Sequence, residues 1–250
     1  MLLRFLPILL LVAVACQPAQ PQQAAAAAPD ADTIPTVVAT DTMPTGRDTS
    51  GLERTLLRQG LVDVLSLDST LVLDMKYSTT DNFLHADVYG DFDRCYLQPL
   101  VAERLLRAQA SLVAQHPDLR LILFDCVRPR SVQYQMWDIV KGTDQQEYVA
   151  PPGGGGSMHN YGAAVDLGLV HVDTGLVDMG TPFDFFGELA HPRLEARFLR
   201  SGELTQAQVD HRQILRQAMR AAGFQGIQNE WWHFVGFPNE EVRARFKIVE

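Results

Sequence analysis

The stretch SMHNYGAAVD, residues 157–166, decides the fold together with EWWH, residues 230–233. A catalytic zinc site needs three protein ligands, usually nitrogen or oxygen donors, and an open fourth position. His159, Asp166 and His233 supply that donor set. The step from His159 to Asp166 spans seven residues, and a turn followed by a strand would bring both side chains to one metal ion. The sequence therefore predicts one zinc ion per chain, held by these three residues.

Two neighbours of these ligands have roles of their own. Gly162 allows the sharp turn that leads into the strand carrying Asp166. Glu230 lies three residues before His233. If the segment already forms a strand at Glu230, a bend or bulge must bring both side chains to the metal. Glu230 is then the candidate general base, which reaches a water molecule without ligating the ion.

The segments around these motifs predict a mixture of strands and helices. Alternating or short apolar runs predict strands at Leu61–Leu67, Leu71–Tyr77, Leu119–Asp125, Ala163–Val170 and Trp231–Gly236. Helical spacing of apolar residues predicts helices at Pro99–His116, Ser131–Lys141 and Thr205–Ala222. Many of the connections are long. We therefore expect an α+β fold, in which helices pack on a central, mainly antiparallel sheet that carries the single zinc site.

Composition excludes several classes of protein. The chain has 250 residues, of which 46% are hydrophobic and 20% charged, as in a globular protein and unlike a disordered chain or a multi-span membrane protein. The net charge of −9, without a cluster of Lys or Arg, argues against nucleic-acid binding. Three cysteines are too few for a disulfide-framework fold or a four-cysteine zinc site.

The first fifty residues are not predicted to belong to the folded domain. Residues 1–15 combine an early Arg with a short apolar run and small residues at the end, which is typical of a secretory signal peptide. Cys16 follows in a stretch that resembles a bacterial lipobox, although ordinary cleavage nearby would remove it. Residues 16–50 predict a lipidated, flexible tether, and residues 51–250 the domain. We expect an exported periplasmic or cell-envelope lipoprotein that contacts the membrane through its lipid.

Three further blocks complete a resemblance that covers most of the domain. They are DMKY with DNF (residues 74–77 and 81–83), DCVRP (125–129) and MGTPFDF (179–185). With the two metal-site motifs, these blocks resemble the D-alanyl-D-alanine dipeptidase (VanX-type) family of zinc peptidases, which is related to D,D-carboxypeptidases and hedgehog-like metalloenzymes. The resemblance implies a zinc metallopeptidase whose partner is a small D,D-dipeptide substrate.

The resemblance also implies roles for three more residues. Arg128 would face the oxyanion of the transition state, where a guanidinium offers fixed donors and a permanent charge; the alternative is a surface salt bridge. Asp184 would pair with the free ammonium of the substrate, and the alternative is a helix-capping residue. Ser157 would hydrogen-bond the substrate. The family often has a second Ser beside it, where this chain has Gly156.

Two cysteines remain within the domain. Cys95 precedes the first predicted long helix and Cys126 ends the strand after it, so the chain can return to the same edge. Because cysteines of exported proteins often pair, we expect a structural disulfide between them.

The resemblance implies hydrolysis of D-Ala-D-Ala to free D-alanine. One alternative is a cell-wall D,D- or L,D-carboxypeptidase or endopeptidase with the same metal site. Asp184 distinguishes the dipeptidase from the carboxypeptidase or endopeptidase, because a counter-ion for an ammonium is useful only where the substrate ends. A second alternative is a non-catalytic wall-binding module, which the presence of ligands, base and oxyanion donor disfavours.

Overall fold

The computed structural model describes residues 51–250. The predicted signal peptide, the predicted lipidation of Cys16 and the predicted tether lie outside these residues and stay predictions. Among the described residues, every helix is too short or too polar to cross a bilayer.

Seven α-helices and eight strands make up the described part of the chain. In order they are α1 (Gly51–Arg58), β1 (Val62–Asp63), α2 (Val64–Leu67), β2 (Val72–Leu73), β3 (Tyr96–Leu97), α3 (Pro99–Gln115), β4 (Leu119–Asp125), α4 (Arg130–Val140), β5 (Ala164–His171), β6 (Gly175–Leu176), α5 (Glu195–Ser201), α6 (Gln206–Ala221), β7 (Gln225–Gly226), β8 (His233–Val235) and α7 (Asn239–Arg245). The prediction of an α+β fold is confirmed.

The larger sheet is mixed rather than uniformly antiparallel. Its strands lie in the order β2-β4-β5-β8-β7, with β6 paired to β5, while β1 and β3 form a separate antiparallel pair. The pairing of β2 with β4 is parallel, and the other pairings of this sheet are antiparallel. A parallel pair needs a long crossover connection, and the chain between β2 and β4 supplies one that contains α3.

The long elements follow the sequence pattern closely. Strand β4 has the predicted bounds. The predicted helices differ by one residue from α3 at its C-terminal end and from α4 and α6 at both ends. Helix α6 begins with a capping box, in which Thr205 Oγ1 accepts a hydrogen bond from Gln208 N and Gln208 Oε1 accepts one from Thr205 N. Helices α3 and α6 pack against each other and against β4 and β5 respectively, and they bury the apolar face of each element in one core.

The short strands are less extensive than predicted. A strand over Leu61–Leu67 is wrong, because the Asp63 carboxylate accepts a hydrogen bond from Leu65 N and starts helix α2 directly after β1. A strand over Leu71–Tyr77 is wrong beyond β2, since a 3-10 turn begins at Lys76. Likewise only three residues of Trp231–Gly236 form β8.

The sheet brings three strand ends to one place. Asp125 at the end of β4 lies opposite Asp166 of β5, and Asp166 lies opposite His233 of β8. The ladder between β4 and β5 shifts register between Leu123 and Asp125. A 3-10 turn that contains His159 leads into β5. The polar residues of the sequence motifs therefore meet at this edge.

Candidate metal centre and active site

Three side chains converge on one point at the edge of the sheet. His159 Nε2 lies 3.2 Å from His233 Nδ1 and 3.4 Å from Asp166 Oδ2, and His233 Nδ1 lies 2.9 Å from Asp166 Oδ1. Ligand atoms about 2.0–2.1 Å from a tetrahedral zinc ion lie about 3.3–3.4 Å from each other. The donor set and its spacing therefore fit a zinc ion.

The local backbone orients His159. Its ring Nδ1 is 2.7 Å from the carbonyl oxygen of Cys126, which leaves Nε2 to face the other two donors. Ser157 caps the 3-10 turn by accepting a hydrogen bond from His159 N, and Gly162 ends the turn with a φ of 63°. Glycine adopts such a left-handed conformation without strain, so the sharp turn predicted at this position is confirmed.

The electrostatics of the cluster suit a cation. Burial alone would lower the pKa of His159, but the carboxylates of Asp166 and Asp125 outweigh it and raise this pKa. Burial alone would raise the pKa of Asp166, but the two imidazoles hold it well below its usual range. The carboxylates thus create a negative potential at the point where the three donors meet.

Arg128 forms a buried ion pair, not the surface salt bridge that was the alternative. Its Nε and Nη2 donate to Asp125 Oδ2 at 3.1 and 2.6 Å, and its Nη1 donates to Gln133 Oε1 at 3.2 Å. These bonds occupy three of the five N–H donors of the guanidinium. The guanidinium also lies 5.1 Å from the ring centre of Tyr77. Arg128 is therefore held rigidly and keeps two donors for a ligand.

Glu230 lies in the loop directly before β8, so the bulge that a strand would have required is unnecessary. Its side chain is partly buried. Burial is the main influence on it and raises the pKa of the carboxyl, against the opposing effect of His233. A carboxyl in such a setting is a stronger base than an exposed one.

Asp184 occupies a strained position beside Tyr77. Its φ of 57° is in the left-handed region, where Asp and Asn are among the more tolerant residues, and it lies in a turn rather than at a helix cap. Its carboxylate accepts a hydrogen bond of 2.8 Å from the Tyr77 hydroxyl. Burial, and then the charge of Asp166, raises the pKa of Asp184 well above its usual range. An added positive charge would stabilise the ionised form.

The three converging side chains share one small cavity of about 170 Å³ with Arg128, Asp184 and Glu230. Its lining includes every residue to which the sequence analysis gave a role in metal binding, catalysis or substrate binding: Arg128, Ser157, His159, Asp166, Asp184, Glu230 and His233. It also contains aromatic residues to which the sequence analysis gave no role: Tyr77, Phe83, Tyr148, Phe186 and Trp232. Ligand pockets of drug-sized molecules typically measure roughly 300–1,000 Å³, so this cavity suits a smaller molecule.

Comparison with known proteins places the chain in a family. The family model for M15 peptidases, described as D-Ala-D-Ala dipeptidase, matches residues 57–249. The chain belongs to this family. A D-alanyl-D-alanine dipeptidase of Escherichia coli (strain K12) is 30% identical over 174 residues, which cover 70% of this chain and 83% of that protein.

Further relatives agree with that assignment. A D-alanyl-D-alanine dipeptidase of Enterococcus faecalis is 32% identical and covers 64% of this chain, and one of Enterococcus faecium is 33% identical and covers 65%. The chain covers 83% and 84% of these two proteins. The chain is thus an enzyme of the M15 peptidases, whose members are zinc-dependent, and the predicted family is confirmed.

The structure also joins the two cysteines of the M15 domain. Cys95 and Cys126 form a disulfide with a Cα–Cα distance of 5.3 Å, and both side chains are fully buried. Cys95 directly precedes β3, and Cys126 directly follows β4. The bond therefore links the small β1–β3 pair to the edge of the sheet where His159, Asp166 and His233 converge.

Proposed function

We propose that this enzyme hydrolyses D-alanyl-D-alanine and similar D,D-dipeptides to free D-amino acids, with one zinc ion held by His159, Asp166 and His233. The observation that carries the proposal is the single small cavity that these ligands share with Glu230 and Asp184. Metal ligands and a base suit hydrolysis, and a further carboxylate in the same cavity suits a substrate with a free ammonium. The names of the relatives point to the same substrate.

Glu230 moves the proton in this mechanism. When bound, zinc acts as a Lewis acid that polarises a carbonyl and lowers the pKa of water. Glu230 takes a proton from the attacking water and returns it to the leaving amine of the second D-amino acid. Its raised pKa favours this exchange, because the carboxylate is then a stronger base than an exposed one.

Arg128 stabilises the charge that develops on the carbonyl oxygen. Asp125 and Gln133 hold its guanidinium in place before the reaction, so little reorganisation is needed in the transition state. The two guanidinium N–H groups that do not bond to Asp125 or Gln133 can donate hydrogen bonds to the oxyanion.

Asp184 and Tyr77 bind the amino end of the substrate. Burial of an ammonium without a partner is expensive, and the Asp184 carboxylate supplies the opposite charge. The Tyr77 hydroxyl fixes the position of that carboxylate. The cavity therefore recognises both the scissile carbonyl and the amino terminus one residue away.

Arg128→Lys is expected to lower kcat by roughly 10–100-fold and to change KM less. Lysine keeps the charge but lacks the planar fork, so the loss is smaller than the roughly 10²–10³-fold cost of removing an oxyanion donor. Steady-state kinetics on D-Ala-D-Ala check this, with thermal unfolding measured in parallel because Asp125 loses hydrogen bonds. An effect confined to KM would instead assign Arg128 to ground-state binding.

N-acetylation of D-Ala-D-Ala is expected to lower kcat/KM by roughly 10–100-fold. A hydrogen bond to a charged group contributes about 1.5–3 kcal/mol, which corresponds to that factor. The penalty is limited because Asp184, whose pKa burial raises, can take up a proton when the ammonium is missing. Rates of release of D-alanine from the free and the acetylated dipeptide measure the difference.

Asp184→Asn is the matched control for this experiment. Asparagine keeps the shape, accepts the Tyr77 hydrogen bond and tolerates the left-handed backbone, but it carries no charge. We expect the variant to lose activity on the free dipeptide. The ratio of kcat/KM between the free and the acetylated dipeptide should therefore be smaller than in the wild-type enzyme. Equal rates of the wild-type enzyme on free and acetylated dipeptide would contradict the dipeptidase proposal and favour a carboxypeptidase.

A further inference from the structure

Cys126 contacts two parts of the molecule, namely Cys95 and the ring of the proposed zinc ligand His159. Its sulfur is bonded to Cys95, and its carbonyl oxygen lies 2.7 Å from Nδ1 of His159. This carbonyl is the acceptor that fixes the tautomer and the direction of the His159 ring. The disulfide and the carbonyl group that orients a proposed zinc ligand thus belong to the same residue.

The sheet itself does little to hold this carbonyl. Strand β4 ends at Asp125, after a shift of register with β5, so Cys126 lies beyond the ladder. The disulfide ties the segment to Cys95 directly before β3, and Val127 N donates a hydrogen bond to Tyr96 O at 3.2 Å. The Tyr89 hydroxyl also donates to Val127 O at 3.3 Å. On the other side of the disulfide, Cys95 O accepts a hydrogen bond of 3.0 Å from Val64 N, at the start of α2.

The same segment is coupled to the turn that carries His159. Arg128 N donates to His159 O at 3.0 Å, and the Asn160 side chain donates to Arg128 O at 2.7 Å. A displacement of residues 126–128 would therefore move the proposed oxyanion donor and the proposed ligand together.

We propose that the Cys95–Cys126 disulfide is a positioning element of the active site, which holds the Cys126 carbonyl where His159 needs it and keeps Arg128 in register with the metal. This inference rests on the proposed zinc ligands. Partners of the second ring nitrogen of a metal-bound histidine typically change metal affinity or activity by roughly 10–100-fold when they are altered. Loss of the cross-link displaces such a partner without removing it, so we expect an effect near the lower end of that range.

The test compares wild-type enzyme with Cys95→Ala/Cys126→Ala, which removes both sulfur atoms of the disulfide, so that neither can bind metal. We expect the zinc dissociation constant, measured by competition with a chelator, to rise roughly tenfold and kcat to fall by a similar factor. KM for D-Ala-D-Ala should stay within about twofold, because Asp184 and Tyr77 lie on other segments.

Leu204→Ala provides the control for a general loss of stability. Leu204 is buried in a separate small cluster with Phe198 and Val209. Its truncation should lower the thermal unfolding midpoint while the zinc dissociation constant and kcat, measured well below that midpoint, stay as in wild type. A purely structural disulfide would make the cysteine variant behave like this control.

Each outcome decides the question. Unchanged zinc affinity and kcat in a folded double-alanine variant would overturn the inference while leaving the proposed function intact, whereas wild-type enzyme that binds no zinc would overturn the proposed function itself. If the variant does not fold, wild-type protein is reduced by a phosphine, which gives two electrons to the disulfide and takes an oxygen atom from water to become the oxide, leaving two thiols. The kcat of this reduced protein is then compared with that of the oxidised protein, because its two thiols would themselves bind zinc in an affinity measurement. Failure to fold there as well would also overturn the inference, because the bond would then support the whole domain.

Discussion

Replacing His159 or His233 by alanine is expected to abolish zinc binding and hydrolysis together. A protein zinc site with four ligands binds with about 10–16 kcal/mol, so one ligand contributes an average of about 2.5–4 kcal/mol, or roughly 10²–10³-fold in affinity. The two side chains are also direct neighbours of Asp166, whose buried charge they stabilise. Without either imidazole, the metal is lost at ordinary zinc concentrations, and activity should fall to background.

Elemental analysis after dialysis and hydrolysis assays on the same samples measure both losses. His116→Ala is the control, because His116 lies at the C-terminal end of α3 and does not line the cavity. It should keep zinc and activity at wild-type values. Full zinc content in His159→Ala and His233→Ala would show that the ligands are other residues.

Part of the proposed ligand set was predictable from the sequence because its spacing is local. His159 and Asp166 are seven residues apart, and Gly162 between them permits the left-handed turn that leads from one to the other. His233 lies 67 residues from Asp166, and it reaches the other two side chains through the pairing of β5 with β8. The strand β4 was predictable for a related reason, since a continuous apolar run bounded by polar residues has few other stable placements. In both cases short-range pattern and final structure agree.

The strands that were predicted wrongly show that helix capping and distant strand partners can override a local sequence pattern. Leu61–Leu67 alternates as a strand does, yet the side chain of Asp63 caps a helix there and β1 keeps only two residues. Both residues of β1 pair with β3, which lies more than thirty residues later. The partner that limits the length of β1 is therefore distant in sequence.

Much of the site depends on contacts between residues that are far apart in the sequence, and the spacing of the motifs does not predict such contacts. Tyr77 reaches Asp184 across 107 residues, and Tyr89 donates to Asp125 across 36. Tyr148, at the end of a short 3-10 turn, stacks on Phe186 with ring centres 4.1 Å apart. Residues of this kind supply the walls of the cavity. Their types are unremarkable in sequence, and only the fold assigns them to the site.

Glu230→Gln is expected to lower kcat by roughly 10²–10⁴-fold while zinc binding stays as in wild type. Glutamine has the shape of glutamate, but its amide cannot take a proton from water or deliver one to the leaving amine. The three proposed ligands are untouched, and Glu230 lies in the loop before β8, so the sheet is preserved. Glu188→Gln, at an exposed carboxylate paired with Arg197, is the control and should keep full activity.

The combination of readouts makes this prediction specific. A base is needed for turnover and not for holding the ion, so zinc content and the thermal unfolding midpoint should match wild type while single-turnover hydrolysis slows. Loss of zinc in Glu230→Gln would mean that Glu230 is itself a ligand. Wild-type turnover would remove it from the mechanism, and the proton would then have to pass through another group on the cavity wall. Asp184 is the remaining carboxyl there that is not a proposed ligand, but its hydrogen bond from Tyr77 and its role toward the ammonium leave it poorly suited to the exchange.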